Sequence, residues 1–515
     1  MSDDGGVTPL PSSSLPVPLK RLLAKVLSLK FGGPELGARF ALLIFGLTAI
    51  TAARTVTFIY SVPDRSLPQI APLLWVFHLA DMIFLPGANR LPTLSAVQLV
   101  QFIAILAALF FFFLAARSTV PAILKRWHRP LARFAVVLAG LLCVLNLQGI
   151  LPYPIALGSQ HYGNDAITVT SCATDAFLRN ENPYSQFNVI TCLHDNGQQG
   201  SKTTPLQAGA FKHISTYPTK VQLQQLYLQA WQNHWKHPAE FESNYSYPAV
   251  SFLVPAIFVA LHVHDLSLVY LLFYLALAGI VVWRAPTRIA RRMAAIAISA
   301  NAALWPTMVS GATDALYSLL VLVAWVTREK RWTSALVMGL AVASRQQAWF
   351  FLLFYVVLIW RTKGRREMWL RIGIITGVFA VTNLPFFLEA PGPWLAGVLG
   401  PIRDPMFPRG TGLIALSTGG LGSLPVGPRW LYSVLEFGAL AAAVAYYWRI
   451  CKKHPGTGLV LAPVALLLAY RSLYSYFLPI SLLALYPALV DYIRPEEADP
   501  VSDRSAQTSP SEAAA

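Results

Sequence analysis

Charged side chains are sparse in this chain, so the places where they stand carry information. Two acids, Asp165 and Asp175, fall ten residues apart in HYGNDAITVTSCATDAFLRNENPYSQ, ahead of a turn-forming Asn182-Pro183-Tyr184. Later come Asp314 in VSGATDA, then Arg345, Gln346 and Gln347 in ASRQQAW, then Arg471, Tyr474 and Tyr476 in AYRSLYSYF. A fourth polar stretch, PIRDPMFPRGTG, holds Arg403, Asp404 and Arg409. A carboxylate takes a proton from an attacking hydroxyl. A guanidinium keeps its charge in a low-dielectric setting and pairs two phosphate oxygens through its planar fork. With tyrosines and amides beside them, these groups suit an anionic, hydroxyl-bearing ligand. The matching chemistry is transfer of a group away from a phosphate-linked lipid, with arginine neutralising the departing phosphate. Taken singly, each residue has a plainer reading: Asp314 as a helix cap, Arg345 and Arg471 as snorkelling or headgroup-binding cations, Asn182-Pro183 as a simple turn.

What must position these residues is a set of membrane helices. Of 515 residues, 55% are hydrophobic and only 12% charged, with a mean hydropathy of +0.51. Apolar runs of crossing length recur, such as ALLIFGLTAITAARTVTFIY and AVQLVQFIAILAALFFFFLAA. The formal net charge of +16 does not indicate a nucleic-acid partner. Lys and Arg sit in short clusters between apolar runs, among them Arg117 to Arg133, Arg284 to Arg292 and Arg361 to Arg371. That distribution sets helix orientation by the positive-inside rule, whereas nucleic-acid binding asks for one continuous basic face.

Counting from a cytoplasmic N-terminal segment, 1–38, residues 39–60 cross outward, 97–116 return and 134–152 cross out again, with 69–86 lying at the interface. The polar segment 153–248 is then extracytoplasmic, and its length points to a functional unit. Within it, YPTKVQLQQLYLQAWQNHWKH has helical spacing and suits a helix along the membrane surface. Residues 249–283 are read as a re-entrant piece containing Pro255 followed by one crossing. Beyond it, 293–308, 312–327, 333–344, 347–360, 371–388, 430–448, 457–470 and 476–492 alternate, with an outer loop at 389–429 and an acidic tail at 493–515. The expectation is an all-α polytopic membrane protein of about 12 transmembrane helices, several too short for a perpendicular span of ~20 residues. Such a protein is expected at the plasma membrane, with its polar groups gathered on the extracytoplasmic side.

Four cysteines occur. Cys143 and Cys451 read as free thiols. Cys172 and Cys192 share the polar segment, and in an oxidising compartment they either pair or stay free; a bond closing such a loop contributes roughly 3 kcal/mol. His234 and His237 in HWKH fall short of a zinc pattern. Asp165 with Asp175 offers hard oxygen ligands for a divalent cation, so metal dependence stays open. No phosphate-binding loop of the ATP-binding type is present in the sequence.

YGNDAITVTSCATDAFLRNENPY resembles the opening of the first large outer loop in GT-C-type glycosyltransferases that use polyprenyl-phosphate sugars. YSYPAVSFLVPAIF is similar to the segment closing that loop, and AYRSLYSYFLPI to the last helical pair of the bacterial members. The resemblance implies a membrane glycosyltransferase with Asp165 as general base and Asp175 as a second acid for metal or acceptor. It further implies a polyprenyl-phosphate sugar as donor and a glycan, lipid or protein hydroxyl as acceptor, with inversion. Tyr184, Asp314, Arg345, Gln346, Arg471, Tyr474 and Tyr476 stand as substrate-binding candidates. The chain differs from the family in placing three spans before the large loop, which sets 39–133 apart as an added helical pair before a 134–492 core. A transporter or flippase of lipid-linked or anionic solutes is the alternative, since charged residues at spans suit it as well.

Overall fold

The computed structural model describes residues 31–61, 94–150, 162, 165–309, 311–418 and 428–492. The expected interfacial segment 69–86, most of the N-terminal segment and the acidic tail lie outside these residues.

The described chain is helical almost throughout, and its one sheet is a pair of two-residue strands. Seven stretches among the described residues are long and apolar enough to cross a membrane: Pro34–Thr55, Gln98–Ala115, His128–Leu147, Leu266–Arg284, Arg365–Glu389, Arg429–Ile450 and Tyr474–Asp491. Leu99, Ile103, Leu106 and Phe110 form an exposed apolar stripe on one of them, and Val434 and Phe437 are exposed on another. Apolar faces of this kind, left bare on helices of spanning length, belong against lipid. The molecule is an all-α membrane protein.

The sequence expectation of about 12 crossings counts short helices that cannot span alone. Asp314–Val326 and Pro455–Leu467 are apolar yet run 10–17 residues, as does Val250–Ala260, which the sequence reading takes as re-entrant and not as a crossing. At ~1.5 Å per residue they fall short of the ~30 Å hydrocarbon core. Val250–Ala260 contains Pro255 and ends in a reversal at His262, whose φ is +66°. That geometry suits the re-entrant reading of 249–283. Residues 293–308 are not one helix: Arg288–Ser299 stops, and Trp305–Val309 restarts. Pro306, at the restart, lacks the amide hydrogen a continuous helix would need there, and Asn301 in the break donates to Ser481 Oγ at 2.6 Å.

The N-terminal helices pack into the rest of the described chain. Pro34–Ser61 packs along Leu94–Ala115 and His128–Ile150, and one hydrophobic core runs from Phe31 through to Leu489. Tyr474 helps join the two: its hydroxyl donates to the Ile50 carbonyl at 2.8 Å.

The polar segment forms its own small layer over the helices. Its core contains Val189, Ile190, Leu193, Phe211, Leu223, Tyr227 and Phe241, joined by Phe407 from the later loop. Lys220–Gln232 begins with a Thr219–Gln222 capping box and turns Leu223, Tyr227 and Ala230 into this core. Its apolar side therefore faces protein, which replaces the expectation of a helix lying on the membrane surface. A disulfide joins Cys172 to Cys192, fastening Asp165–Leu178 to Val189–Asp195; Cys143 and Cys451 are free. The 389–429 loop is largely ordered into Pro391–Arg403, a short strand and Leu413–Thr418. Gly397 permits the first of these helices to touch the polar layer, since a Cβ there would meet the Tyr245 carbonyl at 2.1 Å.

Candidate functional site

Where the polar layer meets the helix ends, a cavity of about 330 Å³ opens. This lies at the low end of the ~300–1,000 Å³ usual for small-molecule sites. Asp165, Asp314, Arg345, Gln346, Arg471 and Tyr476 all line it, although they are spread over 300 positions of sequence.

Each is placed by a local device. Asp165 is the first residue of Asp165–Leu178, where its Oδ1 accepts from the Ala166 amide at 2.9 Å. Asp314 is the first residue of Asp314–Val326 and is 5% exposed. Arg345 sits in the turn between Arg331–Val342 and Gln347–Lys363. Its Nε lies 3.1 Å from Asp314 Oδ1, it donates to Thr313 Oγ1 and to Gln347 Oε1, and its guanidinium covers the Tyr247 ring at 4.4 Å. Gln346 donates to the carbonyls of Ser246 and Val398, holding the end of the polar layer against the Pro391–Arg403 helix.

Arg471 is held differently. The strands Arg409–Gly410 and Arg471–Ser472 pair in parallel, Gly410 opposite Ser472. Gly410 has φ +150°, and a Cβ there would meet the Ser472 carbonyl at 2.1 Å, so this close approach requires glycine. Arg471 donates from Nη2 to Thr204 Oγ1 and from Nη1 to Met406 Sδ, both at 3.1 Å. Among the described residues it forms no ion pair. Of the two arginines in the cavity, one is neutralised by an aspartate and the other is not.

Three expected site residues lie elsewhere. Asp175 is exposed, ten residues further along the Asp165 helix, which is about 15 Å at the helical rise. The two acids therefore do not share a metal or a substrate atom. Among the described residues no group of three or more His, Cys, Asp or Glu is placed to hold a metal ion. Tyr184 is 1% exposed inside an aromatic cluster with Tyr245, Phe252 and Trp394, and its hydroxyl donates to the Tyr247 carbonyl at 2.8 Å. It anchors the Asn182 turn, whose side chain accepts from the Tyr184 amide at 3.0 Å. Tyr474 is engaged with Ile50, as described.

Glu242 is the residue that sequence reasoning missed. It lines the cavity from FESNYSYP, the last part of the polar segment. Its amide donates to the Thr204 carbonyl at 2.9 Å, beside the Pro205–Phe241 bridge. Loss of hydration pushes its carboxyl up to about 7; the Arg471 guanidinium and a hydrogen bond with Ser246 oppose the rise, while Asp404 and Asp165 add to it. Tyr247, Ser246, Asn244, Thr204 and Thr313 complete the polar wall. The only local signal was an acid among aromatic and small polar residues, with nothing in the spacing to link it to Arg471.

Fold and site together define an all-α membrane protein with a polar, charge-bearing cavity between helix ends and a disulfide-fastened layer. Comparison with protein-family models, with curated proteins and with solved structures yielded no match.

Proposed function

We propose that this protein is a membrane glycosyltransferase of the GT-C type. It would take a sugar from a polyprenyl-phosphate carrier and pass it to an acceptor hydroxyl on the extracytoplasmic side. The observation that carries the reading is the convergence, in one cavity, of a helix-initiating Asp165 with an Arg471 that has no carboxylate partner among the described residues. Asp165 takes the proton of the acceptor hydroxyl. The acceptor oxygen attacks the anomeric carbon from the face opposite the phosphate, the bond to the phosphate breaks, and Arg471 stabilises the departing charge. Arg345, tied to Asp314, serves as a rigid polar wall that orients sugar hydroxyls together with Gln346 and Tyr476. Tyr184 and the disulfide hold the Asp165 helix and the closing Tyr245–Tyr247 segment in place. The reading accounts for hydroxyl-binding and anion-binding groups in the same cavity, which a passage for anions alone would not need.

The test is release of polyprenyl phosphate from radiolabelled polyprenyl-phosphate sugars, wild type beside Asp165→Asn. Release by the wild type and loss in the variant, with an unchanged melting profile, supports the reading. Equal release by both removes Asp165 as the base. Movement of intact lipid-linked sugar across reconstituted vesicles without release would make the protein a transporter.

A further inference from the structure

Five charged side chains line the cavity: Asp165, Glu242 and Asp314 against Arg345 and Arg471. Arg345 and Asp314 cancel one another. What remains is a single guanidinium facing two carboxylates, and a phosphate entering there adds a further negative charge. Like charges confined together raise each other's proton affinity, and a neutral acid is the way the cost is relieved. Asp165 has to be ionised to act as base. Glu242 is therefore the group that must be neutral.

We propose that Glu242 and Arg471 form a proton-coupled anion site, in which the guanidinium seats a singly charged phosphodiester while Glu242 stands beside it as the neutral acid and gives its proton to the phosphate as the bond to the sugar breaks. The inference rests on the transferase reading and deepens it. Geometry ties the pair together: the Glu242 amide donates to the Thr204 carbonyl at 2.9 Å, and the Thr204 hydroxyl accepts from Arg471 at 3.1 Å. A single residue thus links the backbone carrying the acid to the head of the cation. The groups that bear on Glu242 come from several elements: Arg471 from the short sheet, Asp404 from the end of the Pro391–Arg403 helix, Asp165 from the start of its own helix, Ser246 and Tyr247 from the same segment, and Tyr476 from the turn after Arg471.

The step balances. The acceptor's proton goes to Asp165, and its oxygen forms the new bond to the anomeric carbon. The anomeric carbon–oxygen bond breaks, its electron pair passing to the phosphate. The Glu242 proton goes to that phosphate, which leaves as a singly charged monoester rather than a dianion. Asp165 ends with one proton more and Glu242 with one fewer, and exchange with water resets both. A substrate class follows: donors with one phosphate fit, whereas diphosphate-linked donors bring more charge than one free guanidinium offsets.

The experiment uses the full chain in detergent or nanodiscs and the methyl farnesyl phosphodiester, whose single charge does not titrate between pH 6 and pH 8. With a carboxyl titrating at about 7, affinity of the wild type for this probe should fall about tenfold from pH 6 to pH 8. Glu242→Gln should bind equally at both pH values, near the wild type's pH 6 affinity. Glu242→Asp, which keeps a titrating acid, should recover a slope, and Arg471→Gln should bind about tenfold to a hundredfold more weakly at both. An unchanged slope in Glu242→Gln, or a flat wild type, overturns the proposal. Asp165→Asn separates the two levels, since it should lose transfer while still binding the probe at pH 6, with the fall in affinity beginning at lower pH because one charge that holds Glu242 protonated is gone. The predicted binding without transfer of any lipid-linked sugar would sink the transferase reading and leave the anion site standing. Transfer with flat probe binding would sink the proton coupling alone.

Discussion

The two ends of the helical bundle use arginine in opposite ways. At the end bearing Arg328, Arg331 and Arg371, these three guanidiniums meet carboxylates: Arg328 with Asp491 at 2.7 Å, and Arg331 and Arg371 with Glu367. Arg39, fully buried nearby, is held by Glu35 and by the carbonyls of Ala115 and Ser118. At the other end, reached by following Asp314–Val326 and Arg331–Val342 to their opposite termini, Arg345 has Asp314 but Arg471 has a hydroxyl and a thioether. Buried ion pairs are costly to desolvate and contribute little net stability, yet breaking one is strongly destabilising. The first end is therefore architecture. An arginine seated on neutral groups in a cavity is poised for an anion that arrives from outside.

That contrast can be broken in order of expected effect. Replacing Asp165 by Asn should lower transfer by about 10²- to 10⁴-fold, the usual worth of a general base, with no loss of thermal stability; a release assay and a melting curve on the same preparation decide it. Arg371→Met, at the architectural end, should do the reverse. It leaves Glu367 with Arg331 alone and removes bonds to the Arg328 carbonyl and Tyr355, costing about 1–3 kcal/mol of stability while leaving the KM of the surviving protein unchanged. Arg471→Gln should weaken binding of a phosphodiester by about tenfold to a hundredfold, the range for hydrogen bonds to charged groups, with a melting temperature close to wild type. If Arg471→Gln instead melts as early as Arg371→Met, the two ends do not differ in kind.

The smallest effect concerns pH. Glu242 has a folded value of about 7, above the ordinary value of 4.5, so the native state binds the extra proton between these values. Its contribution to stability is complete below about 4.5 and is lost as pH rises through about 7. Glu242→Gln, which cannot ionise, should therefore melt progressively higher than wild type as pH goes from 5 to 8. A constant difference would show that Glu242 does not titrate in this range.

Much of the helix plan was legible because long apolar runs and basic clusters are strong local signals. Residues 430–448 and 371–388 are found as Arg429–Ile450 and Arg365–Glu389. The crossing count was less legible, since proline, asparagine and short length divide an apolar stretch without making it less apolar, as at Asn301–Pro306 and Val250–Ala260. Residue type and position at turns singled out Asp165, Asp314, Arg345, Gln346, Arg471 and Tyr476, and all of them line one cavity. Those signals were not enough for direction. Asp175 shares a helix with Asp165 but lies further along it and is exposed, and Tyr184 and Tyr474 spend their hydroxyls on backbone carbonyls. Glu242 was illegible because its role depends on pairing with Thr204 across a long loop and on a guanidinium more than 200 positions later.

The most direct test of the central claim is native mass spectrometry of gently solubilised protein, comparing wild type, Asp165→Asn and Arg471→Gln. The account predicts a co-purifying polyprenyl-phosphate sugar that is enriched in Asp165→Asn and missing from Arg471→Gln. Bulk phospholipid alone, at the same level in all three, would contradict it.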